Sequence, residues 1–163
     1  MRWKATATIL AALVWAGLGG SAQVLAQRVS LLTEAQVLQV ASALGGQSLE
    51  GSVAEIVQVG YGNIAQQELE GRNHTATIRQ EGDDNQVYQF LHNSDNLVDA
   101  VQIGDRNYVW QEIYGVNAQS VIEQYGHDNW FRHIDNRSGI RYHLIQRGSG
   151  IRTEVIHRGA GGG

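Results

Sequence analysis

The sequence predicts an all-β chain: a β-solenoid of five stacked 22-residue strand-turn-strand repeats, preceded by a signal peptide and a short helical or disordered arm. Three observations predict it. A triplet Q-x-G-x-x-N returns every 22 residues, apolar residues alternate with period two on both sides of each triplet, and a chain with 20 Gly contains no Pro. Pro would remove a ladder donor from paired strands, whereas Gly serves tight corners.

The chain begins as a secretory leader does. Arg2 and Lys4 precede the apolar run Ala5 to Gly20, and small residues follow, so cleavage is expected after Ala26 or Ala22. The run is short for a span of about 20 apolar residues. The leader is assigned to residues 1–26, and the mature protein is expected to be secreted.

Residues 27–51 form a pre-repeat arm. Within it, Thr33 and Gln36 make a T-x-x-Q capping box, and Val37, Val40, Ala41 and Leu44 fall on one helical face. Gly45 and Gly46 supply a stop. This predicts a short amphipathic helix over Ser30 to Gly46, marginal on its own. The arm serves either as a frayed lead-in or as a tag read by an export apparatus.

The repeat domain spans 52–159, and 160–163 is a Gly-rich tail. Gln58, Gln80, Gln102, Gln124 and Gln146 are spaced by 22, and so are Gly60, Gly82, Gly104, Gly126 and Gly148. Asn63, Asn85, Asn107 and Asn129 continue the pattern, and Ile151 takes the fifth slot, so 14 of 15 positions match without an insertion. Internal repetition of this strictness outranks other signals.

Each unit has two strands. Ile56, Ile78, Ala100, Ile122 and Leu144 lie two residues before the Gln, and Ala54, Ala76, Val98, Ser120 and Tyr142 lie four before. After the Asn slot come Ala65, Val87, Val109, Phe131 and Thr153, then Leu69, Leu91, Ile113, Asp135 and His157. This is the alternation of strands with one buried face. Gly71, Gly115 and Gly159 mark a second corner, with Asn93 and Arg137 in the same slot.

Two short strands cannot bury a face alone, so the units must stack, about 4.8 Å apart. Strict spacing then sets identical residues over one another. Each inward amide can donate to one neighbouring copy and accept from the other, which removes the cost of burying it. Five rungs would span roughly 24 Å. The two ends of such a stack are rows of unpaired backbone groups and template another chain.

These residues resemble the curlin family, the amyloid fibre subunits exported by bacteria. Ser52, Gln58, Gly60, Asn63 and Ala65 fit its repeat S-x5-Q-x-G-x-x-N-x-A-x3-Q, and Ala76, Ile78, Gln80, Gly82 and Asn85 fit N-x-A-x-I-x-Q-x-G-x-x-N. The family's closing Gln is replaced by Leu69, Leu91, Ile113, Asp135 and His157, while Gln67, Gln89 and Gln111 stand two residues earlier. Amide and aliphatic slots have exchanged places, which predicts the same fold with a different inner order. The resemblance implies a subunit of extracellular curli-like fibres in a biofilm matrix, and the subunit expected is the surface-associated minor one that nucleates polymerisation of the major one. Its implied partners are a major curlin-like subunit, further copies of itself and an outer-membrane secretion apparatus. The alternatives are the major subunit itself, or a non-polymerising solenoid that binds ligands or saccharides through outward aromatics.

Charge bears on the choice. From Glu50 to Asp128 there are 13 acids and three Arg, a balance of −10, whereas from Asn129 onward six Arg and two acids give +4. The family's minor, nucleating subunit likewise has a degenerate, basic last repeat. Arg137, Arg141, Arg147, Arg152 and Arg158 lie in the matching region and are candidates for attachment to an anionic outer surface. The alternative is a charged end-stop that limits edge pairing. The overall charge of −4 argues against nucleic acid as a partner.

No catalytic, cofactor-binding or metal-binding motif stands out. The absence of Cys excludes disulfides and thiolate sites. His74, His92, His127, His133, His143 and His157 show no H-E-x-x-H spacing. Asp135 and His157 share a slot in adjacent rungs, where an ion pair is the simpler expectation than a metal. Asp83, Asp84, Asp95, Asp99 and Asp105 are expected to solvate corners and guard against premature pairing. Tyr88, Trp110 and Arg132 share an outward slot, as do Tyr108 and Trp130, allowing aromatic and cation–π ladders.

Overall fold

A computed structural model describes residues 13–16, 21–27, 31–40 and 51–159. The strands are β1 (Leu13–Ala16), β2 (Ser21–Gln27), β3 (Leu31–Val40), β4 (Val53–Gly60), β5 (Ile64–Glu70), β6 (Thr75–Glu81) and β7 (Gln86–Leu91), followed by β8 (Leu97–Ile103), β9 (Tyr108–Ile113), β10 (Gln119–His127), β11 (Trp130–Asp135), β12 (Arg141–Ser149) and β13 (Arg152–His157). From β4 on, even-numbered strands form one parallel sheet and odd-numbered strands the other, in the orders β4-β6-β8-β10-β12 and β5-β7-β9-β11-β13. The chain alternates between them, so each rung is one strand of each sheet. Every pairing is offset by one repeat, as in Gln58↔Gln80 and Gln102↔Gln124. This is the expected β-solenoid.

The alternation in sequence becomes alternation in burial. Ala54, Ile56, Ala76, Ile78, Val98, Ala100 and Ile122 from one sheet meet Ala65, Leu69, Val87, Leu91, Val109, Ile113 and Phe131 from the other in one continuous core. The corners pair through the stack as well. Gly82 N–H donates to the Val59 carbonyl at 2.9 Å, and Gly104 N–H to Glu81 at 2.9 Å. Even the turns therefore spend their backbone groups on the rung beneath, as buried backbone must.

Before the repeats the structure departs from expectation. No helix forms over Leu31–Val40. That segment is β3, antiparallel to β4, with Gln36↔Gln58, Leu38↔Ile56 and Val40↔Ala54 in register. The physical reason is that Gln36, Leu38 and Val40 read backwards as the aliphatic-aliphatic-amide series of β4, so this segment can lie along a waiting sheet edge. Tertiary pairing overrides a weak helical preference and its capping box. Residues 41–50 lie outside the described residues.

The second sheet is covered likewise. β2 runs antiparallel to β5, with Ala26↔Ala65 and Val24↔Gln67, and β1 pairs with β2 beyond it. Of the expected leader, residues 1–12 and 17–20 lie outside the described residues, as does the tail at 160–163. Among the described residues no helix is long and apolar enough to cross a membrane.

Candidate functional site: the inner ladders and the last rung

The first amide ladder runs the length of the repeats. Gln58 Nε2 donates to Gln80 Oε1 at 2.7 Å, Gln80 to Gln102 at 2.9 Å, Gln102 to Gln124 at 2.9 Å, and Gln124 to Gln146 at 2.7 Å. Gln80, Gln102 and Gln124 are fully buried. Their Nε2 atoms also donate across the core, to the carbonyls of Ile64 at 3.0 Å, Gln86 at 3.1 Å and Tyr108 at 3.1 Å. Each amide thus ties its sheet to the next rung and to the opposite sheet.

Gln67, Gln89 and Gln111 form a second, shorter ladder. Gln67 Nε2 donates to Gln89 and Gln89 to Gln111, both at 2.9 Å. Gln111 then turns aside to Ser120 Oγ at 3.1 Å, because the next position in its own slot is His133, whose Nδ1 also lies 3.1 Å from Ser120 Oγ.

The Asn residues are arranged differently from the expected amide ladder. Asn85 Nδ2 donates to the Gly104 carbonyl at 2.7 Å, and its Oδ1 accepts the backbone N–H of Asn107 at 3.1 Å. Asn63, Asn107 and Asn129 likewise donate to Gly82, Gly126 and Gly148 carbonyls at 2.7–2.9 Å. Among these four, only Asn107 also bonds side chain to side chain, to Asn85 Oδ1 at 3.0 Å. The glycine carbonyl of the next corner lies within reach of each Asn Nδ2, so Asn clips each corner to the next.

The corner glycines are required twice over. Gly82 and Gly104 hold φ of +114° and +116°, and a Cβ on either would overlap the carbonyl oxygen of the next corner glycine. Gly148 has φ +130°, but its Cβ would meet nothing nearer than Ile151 Cδ1 at 3.6 Å. Among the described residues no rung lies over it.

Arg137, Arg141, Arg147, Arg152 and Arg158 all lie exposed on or beside the last rung. Among the described residues none forms an ion pair, and the Arg147 guanidinium sits 5.3 Å from the Tyr125 ring centroid. Outward aromatics meet across rungs: Tyr88 packs tilted against Trp110 at 5.6 Å, and Tyr108 stacks on Trp130 at 6.1 Å. Arg132 turns instead to Glu154 at 2.5 Å. The corner acids bond between rungs: Asp83 Oδ1 accepts Tyr61 N–H at 2.8 Å, and Asp105 Oδ1 accepts Asp83 N–H at 2.9 Å.

One slot escaped the sequence reading. Ser52, His74, Asn96 and Ala118 follow one another at the second corner. His74 N–H donates to Ser52 Oγ at 3.0 Å, and Asn96 Nδ2 reaches the carbonyls of His92 and Gly115, both at 2.9 Å. The 22-residue step was the available signal, but the residue type changes at every copy. Burial lowers the His74 pKa from its ordinary 6.5, and backbone acceptors at Glu70 and Asn93 oppose the shift in part. Burial, with a smaller push from His157, holds His133 down at about 4.

Asp135 and His157 do stack in one slot, with His157 Nδ1 3.8 Å from Asp135 Oδ1. Comparison with protein-family models, with curated proteins and with solved structures returned no match to this chain.

Proposed function

We propose that this chain is a structural subunit of an extracellular, curli-like amyloid fibre, growing by adding the rungs of one copy to the open rung of another. The observation that carries this reading is the last rung. β12 and β13 keep the register of the rungs beneath them and, among the described residues, have no strand beyond them. An uncovered edge of this kind templates a further strand. The space over Gly148 supports it, because every earlier corner of that row has a glycine carbonyl there. At the opposite end Gln67 Oε1 is buried and, among the described residues, without a donor, where each later copy in the ladder accepts from the rung beneath.

The covered first rung fits export as a precursor. Cleavage after Ala26 would remove β1 and all of β2 but Gln27, uncovering the edge of β5; β3 stays in the mature chain on β4, and an incoming rung must displace it to seat on both strands. The proposed partners are the secretion apparatus of the outer membrane and a major curlin-like subunit, whose polymerisation this chain starts at the cell surface. The basic last rung is what favours the starter role: five exposed Arg suit an anionic surface. The role is structural, with stacking in place of chemistry.

A trace of the mature chain added to a major-subunit preparation tests this. The thioflavin lag should shorten; an unchanged lag removes the starter role, and polymerisation of this chain alone into the fibre bulk would make it the major subunit. A ligand-binding solenoid is favoured by one observation: Trp110 Nε1 is buried without a partner beside Tyr88 and Phe90. A mature chain that stays monomeric and thioflavin-negative for days would support that reading instead.

A further inference from the structure

Both inner ladders of the odd-numbered sheet break at the same place. The slot of Gln67, Gln89 and Gln111 passes to His133, and the slot of Leu69, Leu91 and Ile113 passes to Asp135 and then His157. Ligand atoms of His133, Asp135 and His157 lie within 4.8 Å of one another. We propose that these three side chains bind a divalent transition-metal ion of the Zn²⁺ class, clasping the terminal strand β13 to β11.

The buried carboxylate is the first argument. Asp135 is 1 % exposed, in a slot that three earlier rungs fill with Leu or Ile. A carboxylate at that depth is costly unless it is paired or holds a metal. Among the described residues no Lys or Arg side chain is within ion-pair distance of it. Its hydrogen bond comes from the Arg137 backbone N–H at 3.0 Å, and the His157 ring at 3.8 Å is beyond hydrogen-bond reach. Stacking alone would be better served by another aliphatic residue.

Geometry is the second argument. His133 Nε2 lies 3.4 Å from His157 Nδ1. Two nitrogens about 2.05 Å from one tetrahedral ion stand roughly 3.3 Å apart. Asp135 Oδ1 stands 3.8 Å from His157 Nδ1 and all three ligand atoms lie within 4.8 Å, so closing a face of that tetrahedron takes the carboxylate about half an ångström toward His157 and up to about 1.5 Å toward His133. Two imidazoles and a carboxylate favour Zn²⁺, Co²⁺ or Ni²⁺ over Ca²⁺ or Mg²⁺.

The surroundings fit a ligand set. Ser120 Oγ stands 3.1 Å from His133 Nδ1 and, besides the bond it accepts from Gln111, has a second lone pair to accept the Nδ1–H, which leaves Nε2 unprotonated and turned to the site. The Tyr142 ring packs on both imidazoles, with centroids at 4.6 and 5.6 Å. The His157 side chain is 20 % exposed, which gives an ion a way in and water a fourth position. The clasp joins the outermost rung to the one beneath it, so metal would firm the edge that stands open.

The test is competition for Zn²⁺ against a chromophoric chelator, with Co²⁺ as a spectroscopic probe. The wild-type chain should take one equivalent, give tetrahedral Co²⁺ bands and unfold at a higher temperature with metal than without. The double variant His133→Gln/Asp135→Ile restores the residue types of the earlier rungs, so it should fold at least as well. It should lose affinity by more than about 100-fold, beyond the 10–100-fold that loss of an outer-shell partner brings. A His92→Ala/His127→Ala/His143→Ala variant should bind as the wild type does. Absence of saturable binding, equal binding by the double variant, or binding that disappears with the three surface histidines would each overturn the site.

Discussion

Gln67 Nε2 donates to Gln89 Oε1 at 2.9 Å, while Gln67 Oε1 is buried and, among the described residues, has no donor. The ladder is directional: each Gln gives upward and receives from below. Its lowest member therefore carries an empty acceptor, and only another rung can fill it.

Gln89→Leu and Gln67→Leu should consequently differ. Gln89→Leu leaves the Gln67 amide only its long 3.4 Å bond to the Glu55 carbonyl and strands the Gln111 carbonyl inside the core, and should cost about 2–4 kcal/mol. Gln67→Leu strands only the Gln89 carbonyl and removes an orphaned acceptor, and should cost about 1 kcal/mol or less. Urea unfolding of the soluble chain measures both. Equal costs would show that the ladder has no direction.

Gly104→Ala and Gly148→Ala separate folding from growth. At Gly104 the added methyl collides with the Gly126 carbonyl and must also hold φ +116°. That should destabilise the monomer by at least about 3 kcal/mol, since backbone strain alone is worth about 1–3. At Gly148 the methyl meets open space, and only the strain remains. Gly148→Ala should therefore leave a folded monomer that elongates fibres poorly, because its methyl occupies the place of the next copy's corner. Normal elongation by this variant would contradict growth over the last rung.

Much of this was legible in the sequence. Gln80 could be placed against Gln58 and Gln102 because the step never varies, and identical inward amides one rung apart meet each other. The Asn bonding was not legible, because whether Asn85 meets Asn107 or the Gly104 carbonyl depends on fractions of an ångström in rung height. β3 was hidden because Val37, Val40 and Thr33 make a fair helix signal locally. Its strand form is decided by the edge of β4, which no local window contains. The nearness of His133 to Asp135 and His157 was not legible either, since it requires both neighbouring slots to be followed at once.

Stability should fall in mild acid partly through His74. Burial lowers its pKa in the fold, so the unfolded chain takes up the proton first. The neutral ring's contribution is complete above about pH 6.5 and is lost as pH falls toward the folded value. His74→Asn matches Asn96 in the next rung and removes the titration. Urea midpoints from pH 7.5 to 5 should slope less steeply in the variant, and parallel slopes would remove His74 from the account.

Replacing Arg137, Arg141, Arg147, Arg152 and Arg158 by Gln should leave the core intact, since all five are exposed. The variant should be released from cells into the medium and should lose salt-sensitive binding to anionic vesicles. Undiminished attachment would leave the basic rung as an end-stop against edge pairing.

The central claim is that copies stack end to end with their rungs in one continuous register. Mass per length of fibres grown from the mature chain, taken with their diffraction, tests it most directly. Five rungs at about 4.8 Å predict a meridional reflection at that spacing and one chain per roughly 24 Å of fibre. Fibres with one chain per rung spacing, or a chain that remains monomeric with no such reflection, would contradict it.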